Sequence, residues 1–372
     1  MPGALGNLVV LDLSRILAGP LATMVMADLG ATVIKVERPG TGDDTRTWGP
    51  PFGDDGLSTY FSSVNRNKRS VAVDMATEDG RGGILELART ADVVIENFRP
   101  GVMERLGLGY EELSAANPRL IYCSISGFGR GAGAALPGYD LLVQAVGGLM
   151  SITGDPGGPG QKVGVALVDV VAGLFATVGI LAAVEHRHES GRGQRVEVDL
   201  LTSLLAALVN QSSAQTIAGV VPQRMGNAHP SIAPYEVLRC ADGDLALAVG
   251  NDRQFAALCD VLGDAALASD PAYATNADRV MHRDALRTAL EAHLATGPVA
   301  AWSERLAEAG VPAGPVNDIA AAIALAERLG LDPLTSIDRP DGSAVSLVRN
   351  PITLSETPAT YRSPPPRLGT DG

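Results

Sequence analysis

The first half of the chain alternates short runs of β-branched residues with segments of helical periodicity, and this alternation restricts the fold more than any other feature. The runs that predict strands are LVVLDLS, ATVIKVER, SVAVDM, ADVVIENF and RLIYCSIS. Between them, segments such as GPLATMVMADLG and TEDGRGGILELARTA carry apolar residues at helical spacing. Strands that alternate with helices form parallel sheets with helices on both faces. The sequence therefore predicts an α/β fold with a doubly wound, Rossmann-like parallel sheet.

The pattern of predicted elements changes after residue 200, which predicts a second and smaller domain. A loop-rich segment with a hairpin pattern around Asp242-Gly243 is followed by several helical patterns. Residues 326–372 are proline-rich and extended in pattern, so we expect them to lie over another part of the protein. The predicted division is a large α/β domain over 1–200, a linker helix over 201–225, a small α+β domain over 226–325 and a C-terminal segment over 326–372 that returns to a large domain.

Charge and cysteine content argue against several classes of protein. The net charge of −13 makes a nucleic acid or an anionic membrane an unexpected partner. The three cysteines lie far apart and form no CxxC pair, so we expect reduced thiols, a cytoplasmic location and no zinc site. The segment MPGALGNLVVLDLS does not read as a signal peptide. No metal is expected, because the five histidines show no spacing typical of metal ligands.

The longest apolar stretch, Val163–Val184, has the length of a membrane span but is interrupted by Asp169, Gly173 and Gly179. An acid at the centre of a bilayer is costly, so we predict a buried helix here. Asp169 itself has two interpretations that spacing leaves open. It is either a cap at the helix N-terminus, which aspartate favours, or a poorly hydrated nucleophile toward an activated acyl group.

Basic residues are concentrated in the first third of the chain, several of them just past predicted strands. Ligands of open α/β sheets bind at the carboxyl ends of strands, and arginine suits phosphates and carboxylates. A solvated basic face is the alternative. The glycine loops GFGRGAG and GDPGGPGQK match neither the dinucleotide nor the P-loop fingerprint. The basic residues in question are Arg38, Arg46, Arg66, Lys68, Arg69, Arg99 and Arg105.

Six segments spread over most of the chain together resemble the family III CoA-transferases, a group that includes the α-methylacyl-CoA racemases. The resemblance implies that Asp169 is the nucleophile, that coenzyme A is bound as an acyl-CoA co-substrate, and that two chains interlock as a homodimer. It further implies a mixed anhydride and an aspartyl-CoA thioester as intermediates. The segments are LDLSRILAGPLATMVMADLGATVIKVERPGTGDDTR, NRNKRSVAVDM, ADVVIENFRPGVMERLGLGYEEL, NPRLIYCSISGFG, GYDLLVQAVGGLMSITG and ESGRGQRVEVDLL.

The same resemblance implies which residues bind coenzyme A. Arg38 is expected at the adenosine-phosphate end, the segment 73–76 near the adenine, and Leu17 with Ala18 beside the thioester. Leu17 stands where some members carry a polar residue, so the acyl pocket is expected to differ there. The full expected set is Leu17, Ala18, Arg38, Val73, Asp74, Met75, Ala76, Asn97, Phe98, Arg99, Arg105 and Gly138.

Tyr139 separates a transferase from a racemase. By the resemblance, racemases carry a histidine in place of the tyrosine of GYD, because epimerisation needs a second base. A tyrosine can donate a hydrogen bond to Asp169 but is a poor base near neutral pH. The sequence therefore favours a transferase, with a racemase or a CoA-binding protein without turnover as alternatives.

The segment RMGNAHPSIAPYEVLRCADGDLALAVGN resembles the subgroup that uses succinyl-CoA and dicarboxylate or hydroxy-dicarboxylate acceptors. This implies that Gly226, Asn227 and His229 form a loop near the acceptor acid. A second carboxylate on that acid would need a basic partner, for which Arg15, Arg46 and His229 are the hypotheses.

Overall fold

The computed structural model of the protein describes residues 3–370 and shows two compact units. The large unit contains the residues up to Leu149, Lys162–Val220 and the chain from Asp332 onward. The small unit contains Met150–Gln161 and Val221–Leu331. This division differs from the predicted one, since residues 150–161 belong to the small unit although they lie inside the predicted first domain.

Six parallel strands form the sheet of the large unit within the described residues. The order along the sheet is β3-β2-β1-β4-β5-β6, and every neighbouring pair is parallel. The order reverses between β1 and β4, which is the switch point of a doubly wound sheet. The predicted fold class is therefore confirmed. The strands are β1 Val9–Asp12, β2 Thr32–Glu37, β3 Lys68–Ala72, β4 Val93–Glu96, β5 Ile121–Ser126 and β6 Arg195–Asp199.

Helices connect these strands and cover the sheet. An apolar core that includes Leu11, Ile84, Val94 and Leu113 fills the space beneath α3 and α5. The bounds are α1 Ala18–Asp28, α2 Thr59–Ser63, α3 Glu78–Thr90, α4 Val102–Arg105, α5 Tyr110–Ala116, α6 Asp140–Val146, α7 Leu149–Ile152, α8 Leu167–Ser190, α9 Leu200–Ala207 and α10 Val209–Ala218, with a 3₁₀ turn at Asp44–Thr47.

The helix α8 occupies the apolar stretch that was predicted to be a buried helix. Among the described residues it is the one helix whose length and mean hydropathy of 2.3 would permit a membrane span. One face packs on α1 so closely that a Cβ on Gly173 would lie 2.5 Å from the carbonyl oxygen of Ala18. The other face leaves Leu174, Phe175 and Val178 exposed. The helix is thus buried on one side only.

The predicted single linker helix over 201–225 is interrupted. The backbone of Val209 has a positive φ of 41°, which separates α9 from α10. Gly219, with φ 68°, then ends α10, and residues 219–225 are not helical. A helix cannot continue through residues with positive φ, so two short helices replace the predicted long one.

The small unit has α+β architecture around its own core. Its antiparallel sheet turns between β7 and β8 at Asp242-Gly243, as predicted. Leu245, Leu258, Leu290 and Leu306 are fully buried between sheet and helices. The elements are β7 Tyr235–Arg239, β8 Asp244–Ala248, α11 Asp252–Leu262, α12 Ala265–Ser269, α13 Asn276–Met281, α14 Arg283–Leu294, α15 Val299–Glu308, β9 Ala313–Pro315 and α16 Ile319–Arg328, with a 3₁₀ turn at Pro271–Tyr273.

The chain after residue 331 belongs to the large unit. It forms a hairpin, β10 Leu334–Asp338 and β11 Ala344–Val348, that the sequence pattern did not predict, and then continues without regular structure. The Asn67 side chain accepts hydrogen bonds from the backbone N–H groups of Arg362 (2.6 Å) and Ser363 (3.1 Å). The Arg362 guanidinium in turn donates to carbonyl oxygens that follow α1 and lie in its last turn. The last segment is therefore fixed to the start of the chain.

Candidate active site

A cavity of about 290 Å³ opens at the switch point of the sheet. Its walls are the loops that follow β1, β4 and β5, together with the start of α8. This is where open α/β sheets bind their ligands, because neighbouring loops diverge there. Among the residues predicted for the site, those that line the cavity are Arg15, Ala18, Asn97, Phe98, Arg99, Gly138, Tyr139 and Asp169.

Asp169 lies in the first turn of α8 and is not the cap of that helix. The N-cap position is Ala166, and the N–H of Val168 donates to Oδ1 of Asp140 at 2.9 Å. The interpretation of Asp169 as a structural cap is therefore wrong, because Asp140 performs that function from the start of α6. Within residues 3–370 the Asp169 carboxylate has no hydrogen-bond or ion-pair partner.

The surroundings of Asp169 favour its neutral form. Burial and, as the smaller cause, the negative charge of Asp140 together raise the pKa of this carboxyl to about 7. Leu17, Ala166 and Val170 belong to one apolar cluster around it. A carboxylate with a pKa near 7 is more basic than usual, and it has no hydrogen bonds to give up when it attacks an electrophile.

Tyr139 precedes α6 and faces the same cavity with 59% of its surface exposed. The described contacts include no hydrogen bond between its hydroxyl and Asp169. A second tyrosine, which the sequence analysis missed, lies in the apolar cluster near Asp169. Burial raises the pKa of Tyr60, and the charge of Asp169 raises it further. Tyr60 also packs edge-on against Trp48, with ring centroids 5.3 Å apart.

Arg15 contributes a positive charge to the cavity wall. Its backbone is held by Asn97, whose Oδ1 accepts from the Arg15 N–H at 2.8 Å and whose Nδ2 donates to the Arg15 carbonyl at 2.7 Å. The guanidinium lies 4.7 Å from the ring centroid of Phe98. Burial and then the neighbouring charge of Arg38 lower the pKa of Arg15. Within the described chain Arg15 forms no salt bridge, so its charge is available to an anion.

The other residues predicted to bind coenzyme A occupy different positions. Arg38 forms an ion pair with Asp44, which lines the cavity. Leu17 is buried behind the wall. Val73, Asp74, Met75 and Ala76 form the turn after β3, and Arg105 is exposed at the end of α4. These last five residues do not line the cavity.

Gly138 is required by a close approach of two backbones. A Cβ on Gly138 would lie 2.5 Å from the Cα of Gly127, and a Cβ on Gly127 would meet Gly138 equally closely. The loop 127–138 therefore closes on itself at its two ends, and this contact shapes one wall of the cavity.

Arg46 does not reach the cavity, which argues against its predicted contact with substrate. Its Nε and Nη2 donate to the two carboxylate oxygens of Glu37, both at 2.7 Å. Its Nη1 and Nη2 also donate to the carbonyl oxygen of Pro366, and the guanidinium stacks 3.8 Å from the centroid of Phe61. Arg46 therefore joins the last segment to the sheet.

The predicted acceptor loop belongs to the small unit. The His229 ring packs against Tyr235, with centroids 5.3 Å apart, and Gly226 donates to the carbonyl oxygen of Gly154. Asn227 lines a second cavity, of about 370 Å³, beside the three-stranded sheet. The contact of this loop with an acceptor acid stays a prediction.

The most important omission of the sequence analysis is Asp140, because this residue caps the helix that carries Asp169. The Oδ2 of Asp140 accepts from Gln144 Nε2 at 2.7 Å, so both of its oxygens have partners. An acid directly before the apolar pattern LLVQAV is a recognisable helix-start signal, but its contact with α8, 28 residues later, is tertiary. Among residues 3–370 no group of three or more His, Cys, Asp or Glu side chains could hold a metal ion.

A cavity at the switch point of an α/β sheet is typical of ligand-binding proteins, and here the cavity contains an unpartnered carboxylate. The sequence matches CoA-transferase family III over residues 5–372, and the chain belongs to this family.

Named relatives agree with this assignment. The chain is 45% identical to a succinate–glutarate CoA-transferase of Agrobacterium fabrum, over 98% of this chain and 93% of the relative. It is 43% identical to an acetyl-CoA:oxalate CoA-transferase of Acetobacter aceti, over 100% and 94%. Among solved structures, a CAIB/BAIF family protein from Brucella suis has a TM-score of 0.88 at 44% identity, covering 99% of this chain and 97% of that one. The protein is a CoA-transferase that uses CoA thioesters.

Proposed function

We propose that the protein transfers CoA from succinyl-CoA to a free dicarboxylic acid and that Asp169 is the nucleophile. The observation that carries the proposal is a carboxylate without a partner, with a pKa raised to about 7, in a cavity at the switch point of the sheet. The names of the relatives from Agrobacterium fabrum and Acetobacter aceti support a dicarboxylate, since both refer to dicarboxylic acids.

The reaction consists of four substitutions at acyl carbons. Asp169 attacks the thioester carbonyl, the C–S bond breaks, and a mixed anhydride and the CoA thiolate result. The thiolate attacks the aspartyl carbonyl, which releases the donor acid and leaves an aspartyl-CoA thioester. The acceptor carboxylate attacks that thioester, its C–S bond breaks, and a second mixed anhydride and the CoA thiolate result. The thiolate then attacks the acceptor carbonyl, which forms the acceptor acyl-CoA and releases the Asp169 carboxylate. No proton is gained or lost overall, and the thioester bond energy is conserved if water is excluded.

The start of α1 is suited to stabilise the oxyanions of these steps. Ala18 lines the cavity and is the first residue of that helix, where backbone N–H groups have no intrahelical acceptor. Donors of this kind stabilise charge that develops on a carbonyl oxygen. The apolar cluster around Leu17 limits access of water to Asp169.

Arg15 is the residue we propose for the second carboxylate of the dicarboxylic acid. It lines the same cavity as Asp169 and has no acidic partner in the described chain, whereas Arg46 is bound to Glu37. For the phosphates of coenzyme A we propose Arg99, which lines the cavity, and Arg38, which is paired with Asp44 at the cavity wall. Replacing Arg15 by Met should raise the KM for glutarate about tenfold or more and leave the KM for a monocarboxylate nearly unchanged.

Trapping of the intermediate tests the proposal. The protein is incubated with succinyl-CoA, its intact mass is measured, and peptides are mapped for an adduct of CoA minus water. We expect the adduct on the peptide that contains Asp169, its loss in Asp169→Asn and its retention in Asp140→Asn, which changes a nearby acid that has partners. An adduct on another residue would refute the assignment.

The two alternatives give different results in the same samples. A racemase would exchange the α-proton of a 2-methylacyl-CoA with deuterated water and would need a second base, for which Tyr139 is poorly suited. A CoA-binding protein without turnover would show neither an adduct nor proton exchange with any of several donors.

We further propose a homodimer located in the cytoplasm. Apolar residues are exposed along α8 to α10, among them Val178 (63%), Val209 (67%) and Ile217 (84%), and a surface of this kind is typical of a subunit interface. The three cysteines are free and buried, as is common for cytoplasmic proteins. Light scattering after gel filtration should give twice the chain mass of 38.3 kDa, and Val178→Asp should reduce it.

A further inference from the structure

The loop from Ser14 to Ala18 connects β1 to α1 and forms part of the cavity wall. Polar side chains from other elements fix its backbone at consecutive residues. Lys35 Nζ donates to the carbonyl oxygen of Ser14 at 3.0 Å, and Asn97 holds both the N–H and the carbonyl of Arg15. The next residue, Ile16, is held by a third group, the carboxylate of Asp43.

Ile16 has a backbone conformation that its side chain disfavours. Its φ is 70°, in the left-handed region, where β-branched residues are genuine outliers. Such a conformation persists only where the surrounding structure holds it, and it is common at active sites. Ile16 and Ala18 both line the cavity that contains Asp169. A relaxation of Ile16 would therefore move part of the wall of the cavity that contains Asp169.

The carboxylate of Asp43 holds Ile16, and it accepts hydrogen bonds from four donor groups. The Ile16 N–H lies 3.2 Å from Oδ2 and 3.3 Å from Oδ1. Lys35 Nζ donates to Oδ2 at 2.9 Å, and both the N–H and the hydroxyl of Thr45 donate to Oδ1. Burial would raise the pKa of Asp43, but Lys35 and these hydrogen bonds lower it to about 2. Asp43 is thus a fixed, permanently charged acceptor.

We propose that Asp43 is a positioning residue for CoA transfer, which holds Ile16 in its left-handed conformation and so keeps the start of α1 in place beside Asp169. The inference rests on the proposed function and goes beyond it, since Asp43 itself does not line the cavity. Its effect should fall on the chemical steps, because a small displacement of donors near a reacting carbonyl lowers kcat more than it weakens binding of a large co-substrate.

The first test is Asp43→Asn, assayed with succinyl-CoA as donor and glutarate as acceptor. Asparagine has the same shape, but its NH₂ group must oppose one of the four donors whichever way the amide is turned. We expect kcat to fall about tenfold or more while the KM for succinyl-CoA changes less than about threefold. Asp28→Asn is the matched control, because Asp28 is also buried in an ion pair, with Arg66, but does not contact the 14–18 loop. Its kcat should stay unchanged.

Glycine at position 16 distinguishes positioning from a general loss of stability. Glycine adopts positive φ without strain, so the loop no longer needs to be held. In a double-mutant cycle, we expect Asp43→Asn to cost about tenfold in kcat with isoleucine at position 16 and about twofold with glycine. Equal costs in both backgrounds would overturn the proposal, as would an equal loss of kcat in Asp28→Asn.

A third comparison applies if Asp43→Asn does not fold. Ile16→Pro cannot adopt positive φ and has no N–H, whereas Ile16→Gly keeps both options. The proline variant should have a kcat at least about tenfold below that of the glycine variant, and equal values would refute the proposal. A wild-type protein that transfers no CoA would refute the proposed function itself, a result visible before any variant is made.

Discussion

Asp43, which is buried, and Asp169, which is half-buried beside the cavity, are two carboxylates in the same unit, yet their pKa values shift in opposite directions. Four donors, one of them the buried Lys35 ammonium, surround Asp43 and lower its pKa to about 2, against the effect of burial. Asp169 has no such partners, so burial and the charge of Asp140 raise its pKa to about 7. The difference shows that burial alone does not mark a catalytic group. The informative feature is burial without compensation.

The largest expected effect concerns the activity that depends on Asp169. Asp169→Asn should lower kcat at least about 10³-fold, because the amide is not a nucleophile toward a thioester. Turnover of succinyl-CoA with glutarate measures this, with circular dichroism as the control for folding. A residual activity within tenfold of wild type would mean that Asp169, like Asp43, is not the nucleophile.

Asp43→Asn should have the largest effect on stability. It removes the salt-bridge partner of the buried Lys35 ammonium, a change that costs up to about 3–5 kcal/mol in the free energy of unfolding, although Asp12 and Glu37 still stabilise the lysine charge. The folded pKa lies below the unfolded value of 3.8, so this stabilisation is complete above about pH 4 and is lost as pH falls toward 2. Urea unfolding at pH 7 and pH 3 measures both values. An unchanged free energy of unfolding at pH 7 would contradict the assignment of Asp43 to a stabilising pair.

Asp169→Asn is expected to change the free energy of unfolding in the opposite direction to Asp43→Asn. The folded pKa of about 7 lies above the unfolded value of 3.8, so the ionised group destabilises the fold increasingly as pH rises from 4 to 7. The neutral amide should therefore raise the free energy of unfolding at pH 8 by up to about 4 kcal/mol, with no gain at pH 4. Thermal unfolding at both pH values tests the sign, and a lower Tm at pH 8 would contradict it.

The smallest expected effect is that of Asp140→Asn, which separates burial from the charge of Asp140 as causes of the raised pKa of Asp169. Asp140→Asn keeps an acceptor for the Val168 N–H but removes the charge, which is the lesser cause after burial. The kcat/KM of wild type should rise with pH to a plateau above about 7, and the variant should reach its plateau less than about one pH unit lower. A midpoint unchanged in the variant would leave burial as the sole cause.

The large-scale fold was predictable because its signals are local. Each of the first five strand runs became a strand, and QRVEV supplied β6. The starts of the helices were harder to predict from the sequence. Asp169 has the composition of a cap, but the cap comes from Asp140 through a contact that only the folded chain makes.

The site was only partly predictable, because some of its features depend on tertiary contacts. Asp169, Tyr139, Ala18 and Asn97 followed from the family resemblance, and they share the cavity. Ile16 gives no sequence signal for a positive φ, since isoleucine is the least expected residue there. Arg46 looked available because its partners, Glu37 and the carbonyl of Pro366, are far apart in sequence. Both depend on tertiary contacts that spacing does not reveal.

The attachment of the last segment to Asn67 and to the end of α1 has a consequence for the order in which the chain folds on the ribosome. The large unit requires contacts between residues near position 28 and residues near position 362, separated by more than 300 positions. Nearly all of the small unit, Val221–Leu331, is synthesised before that segment appears. The small unit can therefore complete its core during synthesis, whereas the nascent large unit must wait, with part of its surface uncovered, until translation reaches the last forty residues.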